Sequence, residues 1–246
     1  MGSPDGVNMS LWRNTLISTL KSSPGPIQVP YTSWEVTVPS GGGTYGIFVI
    51  GTVDWGDGTS TTSSDRSVQT THNYAAGTYT VTLSGTDHRV SHYNSSAATN
   101  RNWVTKVFTF GTDMSTNAAY MFAGCQYCTD IIGELPNGIT NLNYAFQALA
   151  RLVNFPNPAI PSSVTMLQYA YTDMQRLPID ASLFFTKWTG SETISLATAT
   201  FAGNTNMTGT VPASKLWENP NITSHNQFFG RCTGLTNYDD IPAGWK

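Results

Sequence analysis

Phe122-Ala123-Gly124-Cys125-Gln126-Tyr127-Cys128 and Phe229-Gly230-Arg231-Cys232-Thr233-Gly234-Leu235 carry one pattern at the two ends of the C-terminal half: a lead aromatic with partners three and six positions on. It recurs between them as Phe146-x-x-Leu149-x-x-Leu152, Tyr171-x-x-Met174-x-x-Leu177 and Phe201-x-x-Asn204-x-x-Met207. The lead aromatics stand 24, 25, 30 and 28 residues apart, and a proline follows in each unit: Pro136, Pro156, Pro178, Pro212 and Pro242. Spacings of this size mark stacked repeats, in which no unit buries its apolar side alone. Positions 0, +3 and +6 are expected to face one side of a tight helical coil, with an extended segment running on to the proline. A repeat array offers surface rather than a catalytic cleft.

The cysteines follow from this alignment. Cys125-x-x-Cys128 has the spacing of a redox or zinc motif. Yet Cys125 and Cys232 fall on the +3 rung and Cys128 on the +6 rung, where other units place Leu or Met. Packing thiols are the better reading, and no metal ligand set or cofactor is assigned.

Upstream, from about Tyr31 to Lys106, the period changes to two. Val36 and Val38, Ile47 and Val49, Val53 and Trp55, and Tyr79, Val81 and Leu83 alternate with polar residues or glycine, as half-buried strands do. Gly41-Gly42-Gly43 and Gly56-Asp57-Gly58 read as turns needing positive φ. Asp54, Asp57 and His72 resemble a catalytic trio only superficially, because turn aspartates bond their own backbone. Calcium would need six to eight oxygen ligands, which the sequence does not supply.

Residues 1–30 hold a short amphipathic stretch, Leu11, Trp12, Leu16, Ile17 and Leu20, before Ser22-Ser23-Pro24-Gly25-Pro26. It reads either as a helix lying on the protein's own body or as an arm docking on another protein. No leader pattern opens the sequence, since Lys21 follows the apolar patch instead of preceding it.

Two resemblances follow from these residues. Val53-Asp54-Trp55-Gly56-Asp57-Gly58-Thr59, with His72-x-Tyr74 and Tyr79-x-Val81-x-Leu83, resembles the PKD-type immunoglobulin-like module. Met121-Phe122-x-Gly124-Cys125, Ala199-Thr200-Phe201-Ala202-Gly203-Asn204 and Phe228-Phe229-Gly230-x-Cys232-Thr233-x-Leu235 resemble the BspA-type leucine-rich repeats of bacterial surface proteins. They imply a mainly β protein: a docking arm or linker over 1–30, a PKD-like β-sandwich over 31–106, and a leucine-rich-repeat-type solenoid with short helical turns over 107–246. The same arrangement is found in phage-encoded and surface proteins.

Charge narrows the function. Only 11% of the 246 residues are charged, against about 25% in an ordinary chain. A formal net charge of -3 leaves no basic footprint for nucleic acid. No apolar run reaches the roughly 18 residues of a membrane helix. The four glutamates, Glu35, Glu134, Glu192 and Glu218, share no rung, so the paired carboxylates of a glycosidase are not evident. The expected protein is a non-enzymatic bacteriophage virion component, a capsid decoration or tail-fibre-associated protein. Its arm would bind a capsid or tail protein, and its repeats would adhere to a host glycan or protein; homo-oligomers fit the same picture. Its place is the virion, extracellular after release. A bacterial cell-surface adhesin is the alternative, and a glycan-degrading enzyme a more remote one. Tyr127, Trp188, Trp217 and Tyr238 lie off the core rungs and are the candidate ligand contacts, or else loop and end covers.

Overall fold

The computed structural model describes residues 28–93, 97–155, 160–186 and 194–246. It is mainly a mixed β-sheet protein with very little helix. Seven strands, β1 (Thr32–Val38), β2 (Gly43–Asp54), β3 (Ser60–Ser63), β4 (Thr70–Tyr74), β5 (Gly77–Ser91), β6 (Val104–Thr109) and β7 (Asp130–Ile131), run in the order β3-β2-β5-β1-β6-β7, with β4 branching from β2. All pairs are antiparallel except β6 with β7. Each inward residue expected from the alternation is fully or nearly fully buried, apart from the partly buried Tyr79.

Gly51 marks the bend of β2. Register on β5 shifts between Ile50 and Thr52, φ at Gly51 is +124°, and a Cβ there would sit 2.6 Å from the Ser84 carbonyl oxygen. A larger residue would have to push the strands apart.

In the C-terminal half the backbone winds into five coils, one per lead aromatic. Phe122, Phe146, Tyr171, Phe201 and Phe229 have no exposed surface. Phe146 lies 5.6 Å from Tyr171, Tyr171 stacks on Phe201 at 5.4 Å, and Phe201 stacks on Phe229 at 6.0 Å. Phe110, just beyond β6, fills the step between Phe122 and Phe146, with centroids 6.3 and 6.0 Å away. The +3 and +6 rungs are buried as well.

The expected helical coil is absent from these rungs. Turn bonds of three residues, such as Cys125 N to Phe122 O (3.1 Å) and Cys128 N to Cys125 O (3.0 Å), replace it. The reason is positive φ at two places in every coil. Two residues before the lead aromatic stand Tyr120, Tyr144, Tyr169, Ala199 and Gln227; two after it stand Gly124, Ala148, Asp173, Gly203 and Arg231. Left-handed residues spaced this way stop a right-handed helix from propagating. They turn alternate amides along the stack, so Ala118, Tyr120, Phe122 and Gly124 donate to Asn141, Asn143, Ala145 and Gln147 of the next coil, at 2.8–3.0 Å. The pattern repeats at each later step, and at the end Phe229 donates to the Trp245 carbonyl at 2.7 Å. Trp245, stacked on His225 at 4.3 Å, covers the last coil.

Sheet and coils share one core. The 106/107 boundary expected from the sequence falls inside β6, whose Val104 and Val107 are both buried. Trp34 and His92 pack on Phe122 at 6.0 and 5.1 Å. Trp34 Nε1 donates to the Tyr45 hydroxyl (3.0 Å), which lies 2.7 Å from His92 Nε2, while His92 Nδ1 lies 2.5 Å from the Met121 carbonyl. The carbonyl only accepts, so Nδ1 carries the proton and Nε2 accepts from Tyr45.

Candidate functional site

The left-handed position before each lead aromatic also builds the most developed surface feature. In three successive coils this position is a half-buried tyrosine, and the repeat puts Tyr120, Tyr144 and Tyr169 in line. Their rings stack at 4.7 Å and 4.9 Å, within 15° of parallel. Tyr93, from the segment preceding the first coil, extends the row with its ring 5.6 Å from Tyr120. The 4.7 and 4.9 Å steps among the three coil tyrosines are those of neighbouring strands, because the main-chain ladder sets them. Partial burial, then the neighbouring Tyr120 and Tyr169 phenols, raise the Tyr144 pKa. Its hydroxyl therefore stays protonated and able to donate. None of the four hydroxyls is bonded within the described residues.

Beside this row runs a groove of about 380 Å³, walled by Tyr93, Tyr120, Tyr144, Arg101, Gln126 and Gln147. Its floor includes Gly124 and Ala148. Arg101 lies flat over Gly124: a Cβ there would fall 2.4 Å from the guanidinium carbon. Arg101 Nη1 donates to the Ala123 carbonyl at 3.3 Å, which orients the group. Among the described residues no carboxylate pairs with it. The groove thus combines one uncompensated cation, a phenol row and two carboxamides.

The residues singled out from sequence lie elsewhere. Tyr127 is 47% exposed, and the Arg151 guanidinium sits 4.1 Å over its ring. Trp217 is partly buried, 6.1 Å from Trp245, and Tyr238 is partly buried with Lys246 Nζ 5.2 Å above its ring. These three are not brought into the groove, and Trp188 lies outside the described residues, as do Leu11, Trp12, Leu16, Ile17 and Leu20. The tyrosine row was missed, although its members stand 24 and 25 residues apart, as the first lead aromatics do.

The Asp54, Asp57 and His72 trio is a turn. Asp54 accepts from Gly56 N (2.9 Å) and Asp57 from Thr59 N (3.0 Å) and Thr59 Oγ1 (2.6 Å), while His72 Nε2 meets the other Asp57 oxygen at 2.7 Å. The Thr59 hydroxyl, aided by His72, lowers the Asp57 pKa to about 2. His72 stacks on Trp55 at 5.0 Å. The cysteines are buried free thiols, and burial pushes Cys128 and Cys232 up to about 12. Thiols held neutral in this way pack; they do not attack.

No protein-family model, curated protein or solved structure matches the chain.

Proposed function

We propose that the protein is a non-enzymatic structural or decoration component of a bacteriophage particle. In this reading a PKD-like β module carries a leucine-rich-repeat-type solenoid whose outward face adheres to a host surface. One observation carries it: the stacked coils share a continuous interior with the sheet and display a row of phenol hydroxyls, unbonded among the described residues, beside a polar groove. Energy spent on the aromatic column thereby presents a rigid, regular surface, as repeat architectures do. Supporting it further, prominent carboxylates already serve structure. Asp54 and Asp57 hold their turn, while Glu35 accepts from Thr105 and pairs with Lys106. Residues 1–30 supply the attachment to a capsid or tail protein, on the strength of their apolar spacing alone.

An antibody against the full chain, applied to density-gradient fractions of a phage lysate from the source culture, tests the proposal. The signal is expected in the particle band, and a chain lacking residues 1–30 should leave that band. A signal confined to the cell-wall fraction would replace the particle with the bacterial surface; one confined to soluble cell contents would overturn both.

A further inference from the structure

We infer that the tyrosine-walled groove takes an acidic saccharide, its carboxylate bound by Arg101 and its hydroxyls by the phenol row. This rests on the adhesive reading above but not on the particle to which the protein belongs. Three features select the ligand chemistry. Arg101 is a cation without a carboxylate partner among the described residues, and its single bond to Ala123 leaves most of its donors available. A guanidinium fixed in this way matches a planar carboxylate by paired hydrogen bonds. The phenol rings of Tyr93, Tyr120 and Tyr144 follow one another along the same wall, 5.6 and 4.7 Å apart. Each both donates and accepts, as sugar hydroxyls require. Gln126 and Gln147 add carboxamides to the same lining, completing a set suited to a polyhydroxylated chain.

An acidic peptide fits less well. Peptides commonly dock by extending a ladder of main-chain bonds or by filling apolar pockets. The groove offers neither. The amides of Tyr120, Phe122 and Gly124 and the carbonyls of Asn143, Ala145 and Gln147 are already paired between coils, and five of the groove's lining residues are the polar Arg101, Gln126, Gln147, Tyr120 and Tyr144. Since the inner tyrosine faces cover one another, the saccharide meets ring edges and hydroxyls, with an open ring face only at the ends of the row.

The probes are an oligogalacturonate and its fully methyl-esterified form, which keeps the sugar and removes the charge, titrated calorimetrically into the full chain, with sialyllactose and oligoglutamate beside them. Expected is saturable binding of at least one carboxylated saccharide, weakened by salt, and at least tenfold weaker binding of the ester and of oligoglutamate. Arg101→Gln should lower affinity about tenfold or more, the loss of a charge-assisted hydrogen bond. Tyr144→Phe should weaken binding severalfold without altering the melting transition. Arg176→Gln, which removes an exposed charge outside the groove, should change little. Equal binding of acid and ester, equal binding of oligoglutamate, indifference to Arg101→Gln, or no binding of any saccharide by the folded chain would each overturn the inference. None of these outcomes touches the particle-fraction test.

Discussion

Acid should weaken this protein at the seam between sheet and coils, through His92. The imidazole has no exposed surface. Its two nitrogens are used by the Tyr45 hydroxyl and the Met121 carbonyl, so a second proton would displace the Tyr45 donor. Burial lowers its pKa to about 4, with the Arg101 charge acting in the same direction and the Met121 bond against it. In the unfolded chain a histidine titrates near ~6.5. The folded pKa is the depressed one, so the unfolded state takes up the proton first. Stability is therefore full above about pH 6.5, falls as pH drops, and levels off below about 4. The gap of roughly 2.5 pH units corresponds to about 3 kcal/mol at ~1.36 kcal/mol per unit, a large share of a typical folding free energy of ~5–15 kcal/mol. Urea denaturation across pH 7.5 to 4 measures it. His88, whose pKa burial also lowers, loses stability in the same direction, so the informative quantity is the difference from His92→Gln. That variant should remove a slope of up to about 1.36 kcal/mol per pH unit in this window, and the His92 ring resonance in the native protein should stay neutral to about pH 4. Parallel pH profiles for the two chains, or a His92 resonance titrating near 6.5, would refute the reasoning.

Phe146→Ala removes one ring from the column and should cost about 3–5 kcal/mol by cavity formation; an unchanged melting transition would argue against the stack. Tyr171→Phe should be neutral or stabilise by about 1 kcal/mol, because the buried Tyr171 hydroxyl has no hydrogen-bond partner among the described residues; clear destabilisation in the same melt would reveal a partner. The thiols should stay unreactive toward a disulfide reagent at pH 8 in the native protein and titrate fully in denaturant, whereas rapid native labelling would contradict their burial. Lastly, Asp57, whose pKa the Thr59 hydroxyl and then His72 lower to about 2, stabilises its turn above about pH 3.9. That contribution should fade as pH falls toward 2, and Asp57→Asn should flatten this acid limb.

Much of the core could be read from residue spacing. Apolar residues at fixed intervals have one economical solution, a shared interior, so Phe122, Phe146, Tyr171, Phe201 and Phe229 revealed their grouping. Alternation exposed Val36, Val38, Val53 and Val81 in the same way. The backbone of the coils was harder to read. Tyr, Ala, Gln, Asp and Arg at the positive-φ positions do not announce a left-handed residue as glycine does, because the penalty is repaid by amide bonds to the next coil. The seam was not legible either: His92 looks like any histidine until Tyr45 and Met121, 47 and 29 residues away, close around it.

The chain's own spacing determined that a strand-rich segment precedes five repeating units, and which side chains are driven from water, since burial of apolar groups depends on residue type and period. Only the tertiary structure decided that the two parts share one core, that Arg101 comes to lie on Gly124, and that four tyrosines form a row. Those placements arise from hydrogen bonds between coils and from distant packing, and neither is encoded in any local stretch of sequence.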